Sequence, residues 1–192
     1  RATLAGLGAA TVLDLGCGEG RLVADLLRDP ATRVTGADVA PRVLARAEAR
    51  LARLPERQRD RATLIQASAT YRDERFAGFD AIVLSEVVEH LDPGRLSALE
   101  RTVFRHARPR HVLVTTPNAD YNELYGLAPG AFRNFDHRFE WTRAEFADWA
   151  TATARAHGYA VTFAGVGEHD PDHGHPTQVA LFSRAADEGG AA

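Results

Sequence analysis

Nine residues near the amino end, VLDLGCGEG (Val12–Gly20), limit the possible folds more than any other stretch of the chain. An apolar run reaches Asp14, then glycines fall at every second position, Gly16, Gly18 and Gly20, before RLVADLL spaces its apolar residues three and four apart. A strand that turns at once into a helix needs positions without a Cβ, both for the backbone angles of the turn and for close approach of a ligand. The alternation of short β-branched runs with helical patterns continues through RVTGAD, PRVLARAEARLARL, ATLIQ, FDAIVL, DPGRLSALERTVFRHA and HVLVTT. Strands joined through helices run parallel, and a parallel sheet is covered on both faces. With two later strands in YAVTFAGV and TQVALF, the chain is predicted to be α/β, with a seven-stranded, mostly parallel Rossmann-like sheet and helices on both faces.

The remaining punctuation agrees. Asp92-Pro93 reads as a helix start with proline at the first position. TRAE, Thr142 to Glu145, matches a capping box, and Gly158 stops the helix that follows. Between them, residues 117–141 hold neither period, so the fold carries a long insertion after strand five, and loops of that length are usually functional. One domain is expected over residues 1–184, with 185–192 a flexible tail. At 192 residues the chain can bury roughly 70% of its unfolded surface in one core.

Composition excludes several classes. No apolar run approaches the ~18 residues of a spanning helix, so no membrane partner is expected and the reading is cytoplasmic. One cysteine, Cys17, rules out an intrachain disulfide framework. The net charge of −3 lacks the basic footprint of a protein gripping a long nucleic-acid backbone, although a short end remains within reach. All the Lys-plus-Arg positions are Arg, which reads as a coding bias, so the Arg42, Arg46, Arg50 and Arg53 stripe is expected to be a solvated helix face. The absence of Met, even at position 1, suggests a piece of a longer protein.

The glycine loop implies a nucleoside cofactor. A dinucleotide fingerprint would place its third glycine at position 21, which is Arg21. The alternating DxGxGxG instead resembles motif I of the Rossmann-like S-adenosylmethionine-dependent methyltransferases. That resemblance makes S-adenosylmethionine the expected cofactor, with Asp14, Gly16 and Gly18 in its loop. Asp38, ending the second strand, is suited to accept from two ribose hydroxyls, and Ser68 falls near the adenine.

SEVVEHLDPGRL follows the fourth strand and places Glu86, Glu89 and His90 within five residues. On a helical turn, positions i, i+3 and i+4 share a face. Two carboxylates and an imidazole there suit Mg²⁺ or Mn²⁺. The alternative is that the glutamates cap a helix and His90 packs beneath it. The set EVVEHL, TTPNADYN, FRNFDHRFEWTRAEF and PTQVALF resembles, in order and spacing over nearly the whole chain, the HUA-enhancer-type methyltransferases that modify the 3′-terminal nucleotide of RNA. That resemblance implies metal ligands at Glu86, Glu89, His90 and His137, catalytic through the ion they hold. It implies a substrate RNA 3′ end with a free 2′,3′-diol, methylated on the 2′-hydroxyl. It also implies a kinase-phosphatase-ligase repair partner docking through regions outside this chain. Asn118, Tyr121, Arg133 and Arg138 are candidates for holding the RNA, with packing of the insertion as the alternative. EHDPDHGHP, with His169, His173 and His175, falls outside the resemblance and reads as a solvated loop. A methyltransferase for small metabolites would share the glycine loop and Asp38 but leave the acidic-histidine cluster without a ligand.

Overall fold

The computed structural model describes residues 6–184; the expected tail at 185–192 lies outside them. Strands β1 (Thr11–Leu15), β2 (Arg33–Asp38), β3 (Ala62–Gln66), β4 (Ala81–Ser85), β5 (His111–Pro117), β6 (Ala160–Val166) and β7 (Thr177–Ser183) form one sheet in the order β3-β2-β1-β4-β5-β7-β6. β1 to β5 pair in parallel, and β7 joins β5 and β6 antiparallel. This is the Rossmann-like sheet that the alternation predicts.

Period-2 alternation decides which apolar residue faces which layer. Leu13, Leu15, Ile82, Leu84, Val112 and Val114 enter one cluster with Leu99, Val103, Phe104, Phe146 and Ala150. Their neighbours Val12, Ala81, Val83 and Leu113 enter the other, with Val23, Leu26, Leu44 and Leu51. Helices α1 (Arg21–Leu26) and α2 (Pro41–Leu51) thus cover one face, with the short α3 (Glu56–Arg59) before β3. The opposite face takes α4 (Leu96–Glu100), which widens into a π-helical stretch at Arg101–Ala107, and α5 (Arg143–His157). Each fully buried Leu, Ile or Phe in these layers contributes about 1.5–3 kcal/mol.

Local signals act where they are expected. Thr142 Oγ1 accepts from the Glu145 amide while the Glu145 carboxylate accepts from the Thr142 amide, and Gly158 ends α5 in left-handed backbone. Pro93 opens a 3₁₀ turn that leads into α4, but the Asp92 side chain makes no cap. The insertion is more ordered than its lack of period suggests: Asn118 accepts from the Asp120 amide and starts a 3₁₀ stretch over Ala119–Tyr125. Two arginines of the α2 stripe are not merely solvated. Arg50 Nε donates to the Glu19 carbonyl at 2.8 Å and Arg46 reaches the Glu19 carboxylate at 3.1 Å, bracing the glycine loop. Among the described residues no helix is long and apolar enough to cross a membrane.

Candidate active site

Where β1 ends, the loop turns through left-handed backbone at Gly16, Gly18 and Gly20. Gly16 is required by its neighbour, since a Cβ there would lie 2.5 Å from Val87 Cγ2. Gly18 faces open space, so its backbone is free for a ligand to approach. The Asp38 carboxylate, at the end of β2, accepts from the Gly18 amide at 3.0 Å and the Ala40 amide at 2.9 Å. Each oxygen keeps a lone pair for a hydroxyl. Ser68 Oγ lies 3.1 Å from Thr70 Oγ1 in the loop after β3.

Asp14 is 1% exposed, and its Oδ2 has no partner. Burial, reinforced by the negative charge of Asp38, pushes its carboxyl up to about 7. A carboxyl held above its ordinary value keeps a proton in the folded state that the unfolded chain has already lost. Stability should therefore fall as pH rises from about 4 to about 7. Asp14→Asn, which keeps the shape and removes the charge, is expected to raise stability more at pH 8 than at pH 5, the two gains differing by roughly 2 kcal/mol. Urea midpoints at the two pH values measure this; equal gains at both would refute the assignment.

The second half of the site begins one residue past β4. The sequence places Glu86, Glu89 and His90 on one helical turn, but no such turn forms. Glu86 takes left-handed backbone (φ 54°), its amide donating to the Thr115 carbonyl, and only Val88–His90 form a single 3₁₀ turn. Glu86 lies at the rim, its Oε1 accepting from Thr115 Oγ1 at 2.8 Å, near enough for its charge to act on Glu89. Glu89 points inward and is fully buried. Its Oε2 accepts from Thr116 Oγ1 at 3.1 Å and its Oε1 has no partner. Burial, with the charges of Glu86 and Glu140 adding to it, pushes the Glu89 carboxyl up to about 8.

The insertion docks against this turn. The Arg138 amide donates to the Glu89 carbonyl at 2.7 Å, which sets His137 beside it. The His90 and His137 rings meet edge to face at 4.9 Å between centroids. Ligand atoms of Glu89, His90 and His137 all lie within 4.8 Å of one another. His137 Nδ1 sits 2.5 Å from Glu140 Oε1, and Nε2 lies 3.2 Å from the Asn134 amide nitrogen. With Nδ1 donating to Glu140, Nε2 carries the lone pair, which accepts from Asn134 here and which an ion would take in its place. Glu140 is itself held by the Asn122 side chain at 2.6 Å and the Arg133 amide at 2.7 Å. Asp136 steers His90, 3.4 Å from its Nδ1. A buried carboxylate oxygen without a partner, beside two imidazoles, is a donor set that a divalent cation would satisfy.

The other candidates separate into two kinds. Asn118 donates to the carbonyls of His173 and His175, and Tyr121 is buried with its ring 5.4 Å from that of Tyr125. The Arg133 guanidinium is committed to Asn122 Oδ1 and to the carbonyls of Pro176 and Asn118. These three pin the insertion, the alternative that the sequence leaves open. Arg138 differs: its side chain is 61% exposed and only loosely paired with Asp92 at 3.8 Å. His173 turns to Asp170 at 2.7 Å and His175 Nδ1 to the Gly167 carbonyl, while Asn118 and Arg143 hold the backbone of the histidine loop from outside it. Thr115, Thr116, Asp136 and Glu140 are absent from the sequence-based site. Paired threonines at the carboxyl end of the strand beside β4, and the i, i+3 spacing of His137 and Glu140, are the signals in the sequence that point to them.

A methyltransferase-domain family model matches residues 13–113. The crystal structure of a bacterial CtHen1 methyltransferase domain is 48% identical, with a TM-score of 0.87, covering 96% of this chain and 94% of that one. The chain belongs to the Hen1 methyltransferase family. Curated relatives of this Hen1-family chain are named small RNA 2′-O-methyltransferase. The Xenopus tropicalis protein is 36% identical over 90% of this chain and 49% of its own length. The Arabidopsis thaliana protein is 32% identical over 93% of this chain and 21% of its own length. The chain thus spans about half the length of its vertebrate relative and about a fifth of the plant one.

Proposed function

We propose that this Hen1-family chain transfers a methyl group from S-adenosylmethionine to the 2′-hydroxyl of the 3′-terminal ribose of RNA, with a divalent cation held by Glu89, His90 and His137 and with Glu86 beside it. The relatives named small RNA 2′-O-methyltransferase support an RNA hydroxyl as acceptor. The observation that carries the metal is the unpartnered, buried Oε1 of Glu89, a residue with a carboxylate oxygen within 4.8 Å of ring nitrogens of His90 and His137. The contact of Gly16 with Val87 supports a short path from the cofactor loop to that cluster.

A divalent ion supplies, when bound, Lewis acidity toward a vicinal diol. The chain's own residues do the rest. Glu89, with its proton released to solvent, would be the anionic ligand. Glu140 keeps the His137 proton on Nδ1, and Asp136 orients His90. Asp38 takes the ribose hydroxyls of the cofactor. One carboxylate with two imidazoles favours Mn²⁺ over the all-oxygen preference of Mg²⁺. Recognition confined to a terminal diol also suits a chain of net charge −3.

The test is incubation with labelled methyl donor and synthetic RNAs ending in a 2′,3′-diol, a 2′-deoxyribose or a 3′-phosphate, with and without Mn²⁺. Methylation of the diol end alone, and only with metal, is the expected result. Transfer to a catechol or small metabolite with RNA ends untouched would sink the reading. A kinase-phosphatase-ligase repair partner, implied by the resemblance, is also proposed; co-purification with such an enzyme tests it, and its absence from the purified material would refute it.

A further inference from the structure

Phe135 has no structural explanation. It is 102% exposed and, among the described residues, makes no ring contact, unlike Tyr121, Tyr125, Phe139 and Trp141 of the same insertion. Its backbone, by contrast, is fixed from both sides. The His137 amide donates to the Asn134 carbonyl, which makes Asn134–His137 a turn with Phe135 and Asp136 at its corners. Asn134 reaches the His137 ring, Asp136 reaches His90, and Arg138 is bonded through its amide to Glu89. A phenyl ring in water at a turn corner costs solubility and adds nothing to the core, where a small polar residue would form the same turn. The fold therefore fixes the backbone that carries a bare aromatic ring two residues from His137 of the cation cluster.

We infer that Phe135 is a stacking platform for the nucleobase of the substrate's 3′-terminal nucleotide. This rests on the function proposed above. A ribose whose 2′ and 3′ hydroxyls face Glu89, His90 and His137 carries its base on the adjoining carbon, so the base must lie within a few ångströms of the same cluster. Two residues of backbone reach at most about 7 Å, which keeps Phe135 within that range of His137. Every base has a π-face, so a phenyl ring captures any of the four with a modest preference for the larger purines. Arg138, exposed on the far side of His137, is placed to meet the adjoining phosphate. An aromatic ring for the base and cation ligands for the diol divide recognition of one nucleotide between tolerance of sequence and strict demand for the sugar.

The experiment compares KM for two RNAs that both end in a 2′,3′-diol, one with its terminal base and one with an abasic terminal ribose. For the unmodified protein the base-bearing RNA is expected to bind about tenfold better, the size of one base-aromatic stack. In Phe135→Ala the ratio of the two KM values collapses toward one, with kcat on the base-bearing RNA retained at saturation, and Phe135→Trp restores the ratio. A 2-aminopurine at the 3′ end reports the same stack as quenching, lost in Phe135→Ala. Because the side chain touches nothing, the variant's melting temperature should match the parent's. A KM ratio unchanged by Phe135→Ala overturns the inference and leaves the ring to a protein contact. Failure of the unmodified protein to methylate either RNA overturns the proposed function instead.

Discussion

Glu89→Ala should reduce methyl transfer by at least ~1,000-fold while leaving S-adenosylmethionine affinity within about twofold. The side chain lies on the β4–β5 side of the sheet's carboxyl edge, held by Thr116, and none of its contacts reaches Asp38 or the glycine loop. Its loss removes the anionic member of a three-ligand set whose other members are imidazoles, so cation affinity falls with it. Titration of Mn²⁺ followed by thermal shift should show stabilisation of the parent protein and none of the variant. The same pair of measurements on His137→Ala should give the same pattern, which separates loss of a ligand from loss of a buried carboxylate. Full activity of either variant in EDTA would refute the metal site.

Asp38→Ala should have the converse effect, weakening S-adenosylmethionine or S-adenosylhomocysteine about 100-fold while the Mn²⁺ response persists. The Asp38 carboxylate makes two kinds of contact. It ties down the Gly18 and Ala40 amides, shaping the loop, and its remaining lone pairs face the space where the cofactor's ribose is proposed to lie. Charge-assisted hydrogen bonds are worth about 1.5–3 kcal/mol each, so losing two accounts for a change of that size. Calorimetry with S-adenosylhomocysteine measures the first effect and Mn²⁺ thermal shift the second. Unchanged cofactor affinity would place the ribose elsewhere.

Features encoded by neighbouring residues are legible in the sequence itself. Val12 and Leu13 go to opposite layers because side chains alternate along any strand, and a βα order leaves few alternatives to a parallel sheet. Thr142 with Glu145 starts α5 because the reciprocal bonds need only three intervening peptide units. The acidic-histidine segment is visible as chemistry but not as geometry. An α-helical turn would align Glu86 with Glu89 and His90, whereas Glu86 takes left-handed backbone and its carboxylate is bonded to Thr115. Nothing in the local sequence demands that conformation, because it depends on a bond to the neighbouring strand.

The chain's own order of residues determined the sheet, its two covered faces, the glycine loop and the end points of α5, since each follows from periodicity, capping and sterics over a few residues. Tertiary structure alone decided which donors converge. His137 meets His90 and Glu89 because the insertion docks through the Arg138 amide, and Glu140, Asn122 and Arg133 lock that imidazole from within the insertion. Contacts between residues so far apart are selected by the packing of the whole domain, and no local energy term records them in advance.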